Sequence, residues 1–418
     1  MKNSPFKLNW EKEQNNDLAL KFILFGISPF LGFVYSLWRL NTKSSYIILL
    51  LTGIFFGLAF SVNTDDVIDG ARHRFYFELD YYISWSDFYD KLANYLSFDS
   101  NNKDIYRDII SFFTSRFTYN YHWFFFIVAI IYSYFSLRSL RYFTSLNCFN
   151  FSLPMLILLY LFLKEDIFQI NGVRFWTAGW ISIYAIFQIF VSNNKRYFLL
   201  LMITPVIHVA FGIVPLMAML CFLYDRVVVF TGKDKFLYLI YFLSFIFSMF
   251  SISILQSISD YMPPVLNVLI NSYTDTDYVN EINDFDRTLT GNYFKIAKHF
   301  LINLMVLILI LNRASFLNIK NIKNLFYFII IMLSFVNVFI FVPSLGERFF
   351  SFLLPFIAFT WAFIFRGKSY NLILFLVPVV FLRDIYVSFL LYDMVLDFSD
   401  IVSSPFYLFY YYLIEAGT

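Results

Sequence analysis

Long apolar runs separated by short charged connections make up most of this chain. A helix rises 1.5 Å per residue, so runs of about 17–25 apolar residues match the hydrocarbon thickness of a bilayer. The pattern predicts spans near 20–38, 45–62, 121–137, 151–163, 171–191, 236–254, 296–312, 324–343, 348–365 and 370–389. The run 197–224 holds Pro205 and Pro215 and reads as a hairpin of two short helices, 197–207 and 208–224. The reading is all-α: a polytopic integral membrane protein of about twelve transmembrane segments, in a single transmembrane domain over residues 1–418.

The connections sort by charge. Those at 39–43, 138–141, 195–196, 226–235, 313–323 and 366–368 are short and basic, and the positive-inside rule places them in the cytoplasm. The others are acidic: 63–120 holds ten Asp and Glu, 256–295 holds six, and the tail from 383 holds five. These are expected outside, and the same scheme puts the N-terminus outside despite Lys2, Lys7 and Lys12. Little polar material is left to face the cytoplasm. Chemistry is therefore expected on the outer face, away from ATP and nucleotide sugars.

Composition supports this picture: 60 % of residues are hydrophobic, 23 % aromatic and 14 % charged. A net charge of +2 carries no nucleic-acid signature. The N-terminus is polar before its first apolar run and lacks a small-residue cleavage site, so no removable signal peptide is expected. Cys148 and Cys221 cannot make a disulfide framework, and there is no CxxC pair, Walker loop, GxGxxG, GxSxG or HExxH motif.

The candidate chemistry sits at helix mouths. Arg174, in "NGVRFWTAGW", opens a spanning run, and an arginine there can simply snorkel to the interface. Two companions argue for more: Arg348 opens another outer-face run in "LGERFFSF", and His208 follows Pro205 at the tip of the proposed hairpin. The first outer connection adds Asp65, Asp66, Asp69, Arg72, His73 and Arg74 within ten residues. Arginine forks suit a diphosphate because they donate paired hydrogen bonds and stay charged when partly desolvated. Arg174, Arg348, Arg72 and Arg74 are the candidate diphosphate-binding residues. His208, Asp69 and Asp66 are the candidate proton acceptors. His73, His122 and His299 lie at segment boundaries, where an interfacial polar residue needs no catalytic reason. The acidic pairs Asp275/Asp277 and Glu78/Asp80 have DxD-type spacing, but such pairs are common in acidic loops and no metal or other cofactor is expected. The tail "SPFYLFYYYLIEAGT" reads as an interfacial helix.

These residues carry a resemblance. The start of the first outer connection with "DFYDKL", the "NGVRFWTAGW" helix with Ala178, "PVIHVAFGIVPL" and "GERFFSFLLPF" together resemble the EpsG/Wzy group of bacterial polysaccharide polymerases, through short motifs spread over most of the chain. The resemblance implies a GT-C-like glycosyltransferase of the bacterial cytoplasmic membrane whose active site faces outward. Its donor and acceptor would be undecaprenyl-diphosphate-linked oligosaccharide repeat units, the growing chain moving from its carrier onto the non-reducing end of a new unit. A flippase, a chain-length regulator and membrane lipids are the implied partners.

Four rival readings compete. A lipid-linked glycan ligase needs the same diphosphate clamp but makes no ladder of chain lengths. A flippase or transporter predicts ionisable residues in mid-bilayer and paired repeats. A membrane O-acyltransferase needs a larger cytoplasmic face, and a structural scaffold leaves arginines at several helix mouths without a reason.

Overall fold

The computed structural model describes residues 10–63, 68–97, 105–146, 149–231, 235–259, 289–342, 344–365 and 371–415, with Leu8, Tyr261, Asn267 and Ile270. Asp65, Asp66, Cys148, Asp275 and Asp277 lie outside the described residues. Among those described there are helices and no strands. Six helices are long and apolar enough to cross a bilayer, and a seventh results if Leu372–Val380 and Leu382–Asp393, bent by 44°, form one span. This is a multi-pass membrane protein.

Among the described residues, the runs expected as full spans at 20–38, 45–62, 151–163, 171–191 and 370–389 come out short or broken. The run at 20–38 is two helices, α1 (Asn15–Ile27) and α2 (Pro29–Trp38), parted at Ser28. Ser28 is extended and its hydroxyl accepts from Phe30 N at 3.2 Å, while Pro29 starts α2 without needing its missing N–H. The pair runs antiparallel. Glu11 N bonds Asn41 O at 3.0 Å, so the start of α1 and the end of α2 lie at one end of the bundle. Lys21 is fully buried there among Glu13, Asp17, Thr42 and Ser44. The turn itself reaches only half-way along α3 (Lys43–Ala59), where Thr52 Oγ1 donates to Pro29 O at 3.3 Å. This half-depth hairpin places residue 11 beside the basic connection at 39–43, opposite to the N-terminal placement expected from charge.

Three short helices, α4 (Asp69–Asp80), α5 (Trp85–Leu96) and α6 (Tyr106–Ser115), form the first acidic connection. A reciprocal Ser84–Asp87 capping box opens α5. Next come α7 (His122–Thr144), α8 (Leu153–Phe162) and α9 (Phe175–Ile186). The expected hairpin at 197–224 is α10 (Phe198–Ile207) and α11 (Ile213–Thr231), broken at His208, whose backbone is extended. The rest is α12 (Lys235–Phe247), α13 (Ser251–Ser259), α14 (Leu289–Leu311), α15 (Lys320–Val338) and α16 (Leu345–Phe365). Short α17 (Asn371–Leu374) and α18 (Leu376–Val380) lead into α19 (Leu382–Asp393).

The tail is a second half-depth hairpin, α20 (Phe398–Val402) and α21 (Pro405–Tyr410), and not the surface helix expected. Its ends hold the opposite end of the bundle: Ser61 N donates to Val395 O at 3.0 Å and Asn120 Nδ2 to Tyr412 O at 2.5 Å. Its tip meets the first hairpin, Ser28 Oγ donating to Ile401 O at 2.7 Å.

Packing follows side-chain size and polarity. Gly57 lets α3 approach α7, since a Cβ there would lie 2.2 Å from Ala129 Cβ and 2.8 Å from Phe125 O. Buried amides tie three helices: Asn337 Nδ2 donates to Asn303 Oδ1 at 3.1 Å and to Ser244 Oγ at 3.3 Å, and Tyr241 donates to Asn303 Oδ1 at 2.9 Å. Outward residues such as Leu199, Ile203, Phe236 and Phe389 are apolar and exposed, as lipid contact requires.

Two outcomes are expected. Gly57→Ala forces α3 and α7 apart and should cost about 1–3 kcal/mol, read as a lower melting temperature of the detergent-solubilised protein. Single cysteines replacing Lys12 and Arg138 should react with an impermeant maleimide from the same side of sealed vesicles; opposite sides would refute the half-depth hairpin.

Candidate functional site

The acidic end of the bundle is built around the start of α9. Asp166 accepts from Phe168 N at 3.1 Å and opens a 3-10 turn over Ile167–Gly172. Val173 then takes a left-handed φ of 49°, costly for a β-branched residue, and is fully buried. This reversal makes Arg174 the residue at the helix mouth. The turn is tethered from below: Trp180 Nε1 donates to Tyr132 Oη at 2.8 Å, and that hydroxyl reaches the carbonyls of Glu165 and Asp166. Trp180 therefore anchors the segment that carries Arg174.

Phe175 is the hub. Its ring lies 5.1 Å from the Arg348 guanidinium, and its centroid is 5.2 Å from that of His208 and 5.8 Å from that of Phe349. His208 and Arg348 thus converge, from two remote segments, on the residue that follows Arg174. Arg348 depends on Gly346, where a Cβ would meet Phe339 O at 2.5 Å, and on Ser344, which has φ of 62°. Together they let the first turn of α16 pass closely against the end of α15.

Helices α4 and α6 dock on this mouth, and α5 packs on α6 through Phe88 and Phe112. Gly70 N donates to Asn171 Oδ1 at 2.6 Å, the His73 ring bonds the backbone of Gly172, and Ile105 N bonds Val206 O at 3.4 Å. The Tyr106 hydroxyl lies beside Thr177. His73 is buried, and its Nδ1 has no hydrogen-bond partner among the described residues. Burial first, then the charges of Arg174, Arg107 and Arg72, hold its pKa well below the ordinary 6.5. Arg72 pairs with Asp69 at 2.8 Å, both partly exposed. Arg74 turns elsewhere, bonding Glu78 at 2.9 Å and stacking 4.2 Å over Tyr121, where it joins α4 to α7.

His122 is a joint between helices, its Nδ1 2.8 Å from Leu58 O. Burial pushes the Asp80 carboxyl up, against the pull of Ser111, Arg107 and Lys91. Burial likewise raises Asp166 to about 6, opposed by a hydrogen bond with Tyr392. No group of three or more His, Cys, Asp or Glu among the described residues is placed to hold a metal ion.

Sequence reasoning passed over several charged residues here. Arg107 pairs with Asp108 and stacks 4.4 Å over Tyr76. Lys164, Lys295, Lys298, Arg383 and Asp384 line a cavity of about 320 Å³ beside the first turn of α16. The available signal was the "RD" pair at 383–384 inside the apolar run 370–389, since a charge inside a span is costly unless it has a purpose. No family model matches the chain, and no curated protein or solved structure is significantly similar to it.

The depressed His73 pKa fixes a pH response. Unfolded, the ring protonates near 6.5; folded, it resists the proton. Stability from this group is complete above about pH 6.5 and is lost as pH falls toward the folded pKa. Proteolytic nicking of residues 69–116 should rise between pH 7.5 and 5, and His73→Gln should flatten that rise.

Proposed function

We propose that this protein is a membrane glycosyltransferase that polymerises lipid-diphosphate-linked oligosaccharide repeat units on the outer face of a bacterial cytoplasmic membrane. The observation that carries the reading is the contact of Arg348 and His208 with Phe175, the residue after Arg174, at the acidic end of the bundle. The resemblance of the motifs bearing these residues to polysaccharide polymerases adds to it. A GT-C-like fold belongs to the same proposal, with the half-depth hairpin at 15–38 standing where the first of the twelve expected passes was placed.

Arg174 and Arg348 hold the donor diphosphate, with Arg72 at the rim. The bond between the sugar's anomeric carbon and the phosphate oxygen breaks, and its electron pair leaves on the carrier diphosphate. The guanidinium groups stabilise that charge, an effect worth about 3–4 kcal/mol for one well-placed donor. The acceptor hydroxyl forms the new glycosidic bond and gives its proton to His208 or Asp69. The three short helices between 69 and 115 cover the mouth and would recognise the glycan. The partners in this reading are the lipid-linked donor and acceptor, a delivering flippase and a chain-length regulator.

A second reading, translocation of the lipid-linked unit, draws on the two half-depth hairpins that meet at Ser28 and Ile401. Broken helices ending at mid-depth are a feature of transporters. Liposomes holding the protein, with lipid-linked repeats supplied only on the outside, separate the two: chain extension without movement favours the transferase.

Arg174→Lys keeps the charge and loses the fork. It should lower chain elongation on the order of 100-fold and leave single repeat units on the carrier lipid, read as a collapsed ladder on a gel. A ladder equal to the parent's would remove the diphosphate clamp.

A further inference from the structure

The 320 Å³ cavity lies against the first turn of α16, the turn that carries Arg348. Glu347 faces it while Arg348, the next residue, stacks on Phe175; Gln169 faces it five residues before Arg174. Its size is in the range of small-molecule sites and exceeds what a lone inorganic anion needs.

The wall is cationic. Lys164, Lys295, Lys298 and Arg383 stand against Glu347 and Asp384, four positive groups to two carboxylates. Asp384 is shared, with Lys298 Nζ at 3.0 and 3.2 Å from its two oxygens and Lys164 Nζ at 3.5 Å. Lys295 Nζ lies 3.1 Å from Glu347. Glu165, 3.6 Å from Lys164, stands behind the wall and not in it. The two lysines that share Asp384 are largely buried, 15 % and 20 % exposed, so the positive charge that Asp384 and Glu165 leave unbalanced is weakly screened.

The remaining lining decides which anion. Gln169, Ser351 and Ser388 offer neutral donors and acceptors, and Phe350 and Phe381 offer ring faces. His299 already packs on Phe350 at 4.0 Å between centroids. Inorganic phosphate would use neither the hydroxyls nor the aromatic faces fully. A sugar ring bearing an acid group would use all three kinds of surface.

We propose that this cavity binds an anionic sugar, bearing a carboxylate or a phosphate, in the acceptor glycan. The inference rests on the transferase reading and names its substrate class. An acid sugar held by Lys164 and Lys298 would bring the acceptor beside the diphosphate at Arg348.

Titration calorimetry on the full-length protein in nanodiscs tests this with a uronic-acid tetrasaccharide, its carboxyl-reduced form, glucose 6-phosphate and inorganic phosphate. At least one acidic sugar should bind tenfold or more tightly than the neutral tetrasaccharide, with affinity falling as salt rises. Lys298→Gln should weaken that binding at least tenfold. Ser388→Leu, which fills the cavity without touching an ion pair, should do the same and covers the case in which Lys298→Gln fails to fold. Equal affinity for acidic and neutral sugars, binding of phosphate alone, or no binding at all overturns the proposal. Loss of this binding with chain extension intact sinks the inference alone, whereas acidic-sugar binding in a protein that extends no chain upholds the site and sinks the transferase reading.

Discussion

A peptide group without a hydrogen-bond partner is costly wherever water is excluded, and the architecture depends on how the chain meets that demand at its breaks. Each interruption of an apolar helix has a local answer. Ser28 is satisfied by Phe30 and Ile401, Val173 by Ile170 and Thr177, and His208 by Thr204 and Phe211. Because these bonds hold irregular backbone in place, side chains that an unbroken helix would aim into lipid are turned toward one another. Arg174 and His208 stand immediately beside such breaks, and Arg348 follows the turn at Ser344.

Electrostatics then sets the character of the acidic end. Its cations come from separate elements: Arg72 and Arg107 from the short helices, Arg174 and Arg348 from helix mouths, Lys164 and Lys298 from the cavity wall. Several have counter-ions nearby, as with Asp69, Asp108 and Asp384, which keeps a dense group of positive charges compatible with a folded, partly buried surface. His73, kept neutral first by burial and then by the surrounding arginines, avoids adding to the repulsion.

Much of the fold was legible because membrane helices announce themselves by length. The spans at 122–144, 321–338 and 345–365 follow from uninterrupted apolar runs, and Pro205 marked the break at His208. The Ser28 break was not legible: Pro29 is tolerated at a helix start, and the partner that stabilises the turn is 373 residues away. The acidic connection read as a loop because amphipathic helices as short as α5 and α6 depend on packing, here on rings such as Phe88 and Phe112 at 4.0 Å. Arg174 and Arg348 were visible as charges at apolar boundaries, and Arg348 stacks on the residue that follows Arg174. Lys164 and Lys298 were not, since each reads as an ordinary interfacial lysine until Asp384 draws them together.

The bond between Ser28 and Ile401 also has a temporal side. The hairpin at Ser28 is synthesised 373 residues ahead of Ile401, so its tip hydroxyl enters the bilayer without the acceptor it finally uses. Biogenesis therefore cannot proceed strictly from front to back. The contact between the two hairpin tips closes only once the segment around residue 401 has been made.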